Sequence, residues 1–230
     1  MFILSRLVGF AVAALASTVK TVAPSRIGTD TFKNSTGLTS THSHTVPAGT
    51  DILIVDVNAN VAATAVVSSV TFGGAALTQA VRVTQAGTEP SITEIWYKTG
   101  PTPSTANIVV TLDTSATDIG ARGTNYQNAT GIGDTASNSS TSASTLSATI
   151  TTTDVFSFVH GTHFSSKGGT DNILWTSPLA RIYQVSLGAT KVSGGGVARS
   201  TPPAESVTVE ITQGGGAGQH AIAAIEITGV

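Results

Sequence analysis

From Leu38 onward the chain alternates short apolar runs with turn residues, and within many of the runs the apolar positions recur every second residue. A period of two belongs to strands with one face in a core and one in water. Val207, Val209 and Ile211 fall on one side while Ser206, Thr208, Glu210 and Thr212 fall on the other. Ile108, Val110 and Leu112 behave alike, as do Ala221, Ala223, Ile225 and Ile227, which leaves Glu226 and Glu210 on outward faces. The pattern predicts strands near 38–46, 52–57, 66–72, 80–84, 92–99, 107–112, 119–126, 146–150, 154–162, 181–187, 190–197, 206–212 and 220–228, with no helix after the N-terminal leader. Ile52-Leu53-Ile54-Val55 is apolar on both faces. That strand is expected to be central with a layer on its outer side, or buried at an interface between subunits.

Pro47-Ala48-Gly49, Gly73-Gly74, Gly100-Pro101-Thr102-Pro103, Gly168-Gly169 and Gly214-Gly215-Gly216 read as turns, since Gly and Pro supply the backbone angles that end strands. Serine and threonine crowd the stretch from Ser137 to Ser147, which reads as a long crossover and a mobile loop; a boundary between two small sandwiches near Ser140 to Leu146 would have the same composition. The expected fold is all-β: an antiparallel, jelly-roll-like β-sandwich over residues 29–230, preceded by a short apolar arm over residues 1–28.

The arm opens with MFILSRLVGFAVAALAS, apolar from Leu7 to Ala16 and closed by Ala14-Leu15-Ala16 in the small-x-small pattern of a signal-peptidase site. Its apolar run is well short of the roughly 20 residues a membrane-spanning helix needs. A secretory leader cleaved after Ala16 is one expectation. The leading one is a retained arm whose Phe2, Ile3, Leu4, Leu7, Val8 and Phe10 dock between subunits, because an exposed apolar segment needs cover.

Composition narrows the classes. Eleven basic residues against thirteen acidic ones, with no basic cluster, leave no electrostatic footprint for nucleic acid or an anionic membrane. The absence of cysteine removes disulfides and thiolate metal sites. Only 10% of residues are charged, so repulsion between copies is weak and self-association is favoured.

Sites with chemistry are sparse. His42 and His44 sit two apart and share a strand face, as a metal pair would, but no third ligand is identifiable. His160 and His163 are three apart and should face opposite sides unless Gly161 forms a bulge. Asp113, Asp118 and Asp134 lie in segments that read as turns able to offer oxygen ligands to calcium or to close Asx turns. Glu94, Glu210 and Glu226 supply no signalled carboxylate pair of the kind sugar hydrolysis requires. No nucleophile elbow, phosphate-binding loop or dinucleotide fingerprint occurs. Trp96 alternates like a core residue, whereas Trp175, flanked by turns, is the surface aromatic expected to meet a ligand. No catalytic residue, cofactor or metal is therefore expected. Asn34, Asn128 and Asn138 head glycosylation sequons, relevant only in a glycosylating compartment.

The succession VPAGTDILIVDV, SVTFGGAALTQAV and SITEIWYKTGPTPSTANIVVTL, closed by HAIAAIEITGV, resembles a β-sandwich domain of tailed-bacteriophage virion proteins and bacterial surface proteins. The matching parts are Pro47 to Gly49, Gly73 to Thr78, Trp96 and Tyr97, and Thr105 to Leu112, while the stretch from Gly120 to Asp134 departs from the pattern. The resemblance spans roughly Thr45 to Val230, rests on turns and core positions, and brings no catalytic residue. It implies a non-enzymatic structural protein of a virus particle: a tailed-phage capsid decoration or cement subunit, or another head or tail component. Its partners would be other virion subunits and copies of itself. The alternative is a secreted bacterial surface module that binds glycan or mediates adhesion.

Overall fold

The computed structural model describes residues 22–62, 64–154, 156–166, 173–176, 180–187, 191–199, 205–213 and 217–230. The docking residues Phe2, Ile3, Leu4, Leu7, Val8 and Phe10 lie outside them. Fifteen strands and no helix make up the described chain. They are β1 (Ser25–Val46), β2 (Ile52–Asn60), β3 (Val67–Phe72), β4 (Ala75–Ala76), β5 (Thr78–Gln85), β6 (Ser91–Thr99), β7 (Ser104–Gln127), β8 (Ala129–Ala143), β9 (Thr145–Thr151), β10 (Phe158–Ser165), β11 (Ile173–Trp175), β12 (Ala180–Leu187), β13 (Lys191–Arg199), β14 (Ser206–Gln213) and β15 (Gly218–Gly229). All pairings are antiparallel, and the fold is an all-β sandwich-like stack.

The first sheet is organised by β7. Its whole length pairs with β1 on one side; on the other side its first half pairs with β3 and its second half with β2. The β1–β7 ribbon slips register on both sides of Gly37, whose φ of 94° suits a residue without a side chain. There the ribbon folds back until its ends meet: Asn125 Nδ2 donates to Thr45 O at 3.0 Å, and a Cβ on Gly28 would come within 3.0 Å of the Pro47 ring. With β4, β6 and β5 completing its edges, the sheet curls around a core that includes Leu53, Val55, Val57, Phe72, Trp96 and Ile108. The two strands predicted at 107–112 and 119–126 are thus one continuous element, because a long β7 is what ties the two arms of the sheet together.

Beyond Asn128, the one non-glycine residue with positive φ (59°) among those described, the chain builds two further sheets, ordered β12-β13-β10-β15-β8 and β11-β14-β9. The five-stranded sheet lies in the middle. One face packs Ala223, Ile225 and Ile227 on Ile52, Ile54, Ile95 and Tyr126 of the first sheet; the other packs Val159, Ile222 and Ala224 on Leu146, Ile150, Val207, Val209 and Ile211 of the third.

The layering decides between the two expectations for Ile52 to Val55 and overturns two others. Ile52 to Val55 are all 0% exposed within a single chain, so the layer expected on the outer side of that strand is the chain's own second sheet and no subunit interface is needed to cover them. β15 was expected to keep one face in water, yet it is buried on both from His220 to Ile227, because a third sheet covers its other side. The serine-rich stretch expected to be a loop is strand β8, the edge of the middle sheet. Its backbone pairs with β15, Ala136 and Ile132 pack on the cores to either side, and its serines and threonines lie at the sheet edge. The change from the first sheet to the others falls at Asn128 and not between Ser140 and Leu146.

Candidate functional site

One constellation of titratable side chains lies in the seam between the first and second sheets. Asp56 projects from β2, Tyr126 from β7 and His160 from β10, all on the faces turned towards the seam. His160 Nε2 lies 2.8 Å from Asp56 Oδ1, and its Nδ1 lies 2.7 Å from the Tyr126 hydroxyl. With Nε2 protonated, the ring donates to the carboxylate and accepts from the phenol. Burial pushes the Tyr126 hydroxyl well above the ordinary tyrosine range, and the nearby Asp56 charge adds to the shift. Tyr126 therefore stays a neutral donor. Asn58 Nδ2 extends the seam by donating to Thr162 Oγ1 at 2.9 Å, and at its border Arg26 and Arg122 both donate to Asp30.

A carboxylate–imidazole–hydroxyl chain is the geometry of proton relays, but a relay needs access. Tyr126 and His160 are 0% exposed and Asp56 1%. Two surface depressions are lined by other residues: one of about 340 Å³ by Gly28, Thr29, Thr31, Ser43, Thr45 and Pro47, the other of about 140 Å³ by Phe72, Gly73, Ala75, Lys98, Thr102 and Ser104. What the chain of three can do in this position is hold two sheets in register.

A second buried cluster surrounds Glu226, 0% exposed and not outward as its strand pattern suggested. Its carboxylate accepts from the backbone N–H groups of Asp134 (3.0 Å), Thr153 (2.8 Å) and Asp154 (3.1 Å), and from the hydroxyls of Thr153 (2.9 Å) and Ser157. Burial alone would push this carboxyl up; the Ser157 hydroxyl and the Asp134 and Thr153 donors outweigh it and hold the group below the usual carboxylate range. A Cβ on Gly133 would collide with Glu226 Oε2, so the cradle favours a glycine there. The sequence did carry a signal: a lone glutamate in a strand of alanine and isoleucine on both faces is more consistent with burial than with solvent.

The remaining expectations resolve one by one. His42 and His44 share a face, but His44 is committed, with Nδ1 2.8 Å from Thr31 Oγ1 and Nε2 3.2 Å from Asn125 Oδ1. Burial and the neighbouring His44 and Lys33 push His42 down to about 4. His160 and His163 do face opposite sides of β10, without a bulge. Asp113 and Asp118 lie inside β7 and Asp134 inside β8, not in turns; Asp113 Oδ1 accepts from Val66 N, and Asp134 accepts from Thr135 N and Thr151 N. Among the described residues no group of three or more His, Asp or Glu is placed to hold a metal. Glu94 is buried against Trp96, whose Nε1 donates to it at 2.6 Å, with Arg82 Nε 3.3 Å away. Burial pushes Glu94 up, its partners only partly opposing the shift. Glu210, by contrast, stays on the outer face of β14. Trp175 is not an exposed platform: its ring packs over Gly161 and Gly196, edge-to-face with His163 at 5.2 Å, and its indole nitrogen is buried. Among the described residues no helix is long and apolar enough to cross a membrane. No family model, curated protein or solved structure matches the chain.

Proposed function

We propose that this chain is a non-enzymatic structural subunit of a virus particle, a capsid decoration or cement protein or another head or tail component of a tailed phage, working beside other virion subunits and copies of itself. The observation that carries this reading is where the polar chemistry is spent: the two carboxylates and the one imidazole of the Asp56–His160–Tyr126 and Glu226 clusters hold sheet to sheet and loop to strand, away from solvent. A stack of sheets fastened in this way suits a load-bearing part. The low surface charge and the likeness of its turns to virion sandwich domains point the same way.

The apolar leader enters the described structure at Val22, which exchanges backbone hydrogen bonds of 3.0 and 3.2 Å with Val230. Both valines are 43% exposed, so the leader's root is itself an apolar spot beside the chain's last strand. In this reading the leader and that spot are covered together by a neighbouring subunit. The test is intact mass and solution sizing of the natively produced protein. A chain that keeps its first residues and runs as an ordered assembly is the expected result. A monomer beginning at Ser17 would overturn the virion role and favour the secreted surface module.

A further inference from the structure

Where the second and third sheets pack, three polar side chains stand on faces turned towards each other. Ser165 shares the β10 face of Val159, Gln213 the β14 face of Val209 and Ile211, and His220 the β15 face of Ile222 and Ala224. Ser165 is 0% exposed, His220 1% and Gln213 6%, so water has little access to them. Ser165 Oγ donates to Gln213 Oε1 at 3.2 Å, which lays a hydroxyl of the second sheet against an amide carbonyl of the third.

His220 directly opposes Ser165 in the β10–β15 register, and opposed residues of an antiparallel pair carry their Cβ atoms about 4.5–5.5 Å apart. Burial pushes the His220 ring down, so it is uncharged at neutral pH, and a ring N–H is turned to the Ala143 carbonyl of β8. That contact fixes the tautomer: one nitrogen holds the proton, and the other keeps its lone pair. A neutral imidazole anchored on one nitrogen, with a serine opposite it on the neighbouring strand, is the pairing of a general base with a hydroxyl nucleophile.

We propose that Ser165 and Gln213 condense into an internal ester that ties the second sheet to the third. With His220 accepting its proton, Ser165 Oγ attacks Gln213 Cδ. The Oγ–Cδ bond forms, the Cδ–Nε2 bond breaks, and the proton passes from His220 to the departing nitrogen, which leaves as ammonia. The exchange consumes no water, oxidant or cofactor and returns His220 to its neutral form. Free serine and glutamine do not react in this way; holding the hydroxyl against the amide makes the step intramolecular. Ammonia is lost to solvent and protonated there, which draws the exchange forward, and the burial that excludes water protects the ester from hydrolysis. The tie spans 48 positions of the chain and constrains the unfolded state as other cross-links do. It would serve a virion subunit and a surface module alike.

The test is mass spectrometry of the full chain and of its tryptic peptides. The native chain should be lighter than its sequence by one ammonia, with peptides 123–167 and 200–230 released as one linked species that mild alkali separates. Ser165→Ala should carry the full encoded mass, and Ser165→Thr, which restores a hydroxyl, should again lose ammonia. His220→Gln should fold with an unchanged circular dichroism spectrum yet keep the full mass, while His42→Gln closes the bond as the native chain does. Should Ser165→Ala or His220→Gln fail to fold, the linked peptide of the native chain decides. A native chain of full encoded mass, an ammonia loss that maps away from Ser165 and Gln213, or a link that persists in Ser165→Ala would each overturn the proposal. Closure in His220→Gln at the native rate would overturn the role of the base.

Discussion

The two halves of the molecule each bury a glutamate completely and treat it in opposite ways. In the curled first sheet Glu94 has the Trp96 indole, the Gln79 side chain and the partly buried Arg82 as partners, and burial prevails, raising its pKa. In the stacked second and third sheets Glu226 has five donors, and they prevail over burial, lowering it. Equal exposure therefore says little about a carboxylate; the number of donors aimed at it decides the sign. The histidines show the reverse partition, since His44 in the first half has side-chain partners for both ring nitrogens and His163 in the second has no side-chain hydrogen bond.

The largest effect should come from breaking the richer cradle. Glu226→Leu strands three backbone N–H groups and two hydroxyls, and should lower unfolding free energy by about 3–5 kcal/mol in urea titration, whereas Glu94→Leu should lose less than half of that. A small effect of Glu226→Leu would refute the cradle as a fastening.

Acid should next expose the buried His163. His163 takes up a proton in the unfolded chain near pH 6.5 but in the folded chain only near pH 3, so the unfolded state binds more protons between those values and stability declines as pH falls through that window. His163→Phe should flatten the slope of stability against pH from 6.5 to 3. An unchanged slope would mean that this ring is not neutral and buried.

Gly133→Ala sharpens the comparison from the side of the cradle wall. Its new methyl would meet the Glu226 carboxylate, and about 1–3 kcal/mol should be lost by calorimetry, much less of it in a Glu226→Ala background. In the seam joining the two halves, Tyr126→Phe leaves His160 Nδ1 unpartnered and should remove about 1–2 kcal/mol, non-additively with His160→Phe in a double-mutant cycle.

The smallest expected effect is that of Glu94→Gln, within about 1 kcal/mol at neutral pH, because the amide oxygen still accepts from Trp96. Its signature lies in acid. A raised carboxyl makes the folded state gain relative stability as pH falls through its folded pKa, and a lowered one makes it lose stability as pH falls through its own. Removing Glu94 should leave the Glu226 loss unopposed and steepen acid unfolding.

Strand type and most strand positions were legible because period-two alternation is a local property: Val207, Val209 and Ile211 are buried as their spacing required. Strand ends at Gly49, Gly73, Gly74 and Gly100 were legible for the same reason, since each of these glycines adopts the positive φ that a turn requires. The candidate site was not. Asp56, Tyr126 and His160 are 34 to 104 positions apart, and nothing in their neighbours' spacing indicates which sheet covers which. The serine-rich end of β8 was misread because an edge strand pairs through its backbone and needs few apolar side chains there.

The sequence by itself determined an all-β chain, its alternating faces and the places where it must turn, because these follow from backbone geometry and side-chain preference within a few residues. Only the tertiary structure decided which donors surround Glu226, that Trp175 is a wedge over two glycines, and that three distant polar residues close one seam. Burial and hydrogen bonding depend on what a third layer covers, and layers are joined by residues far apart in the chain.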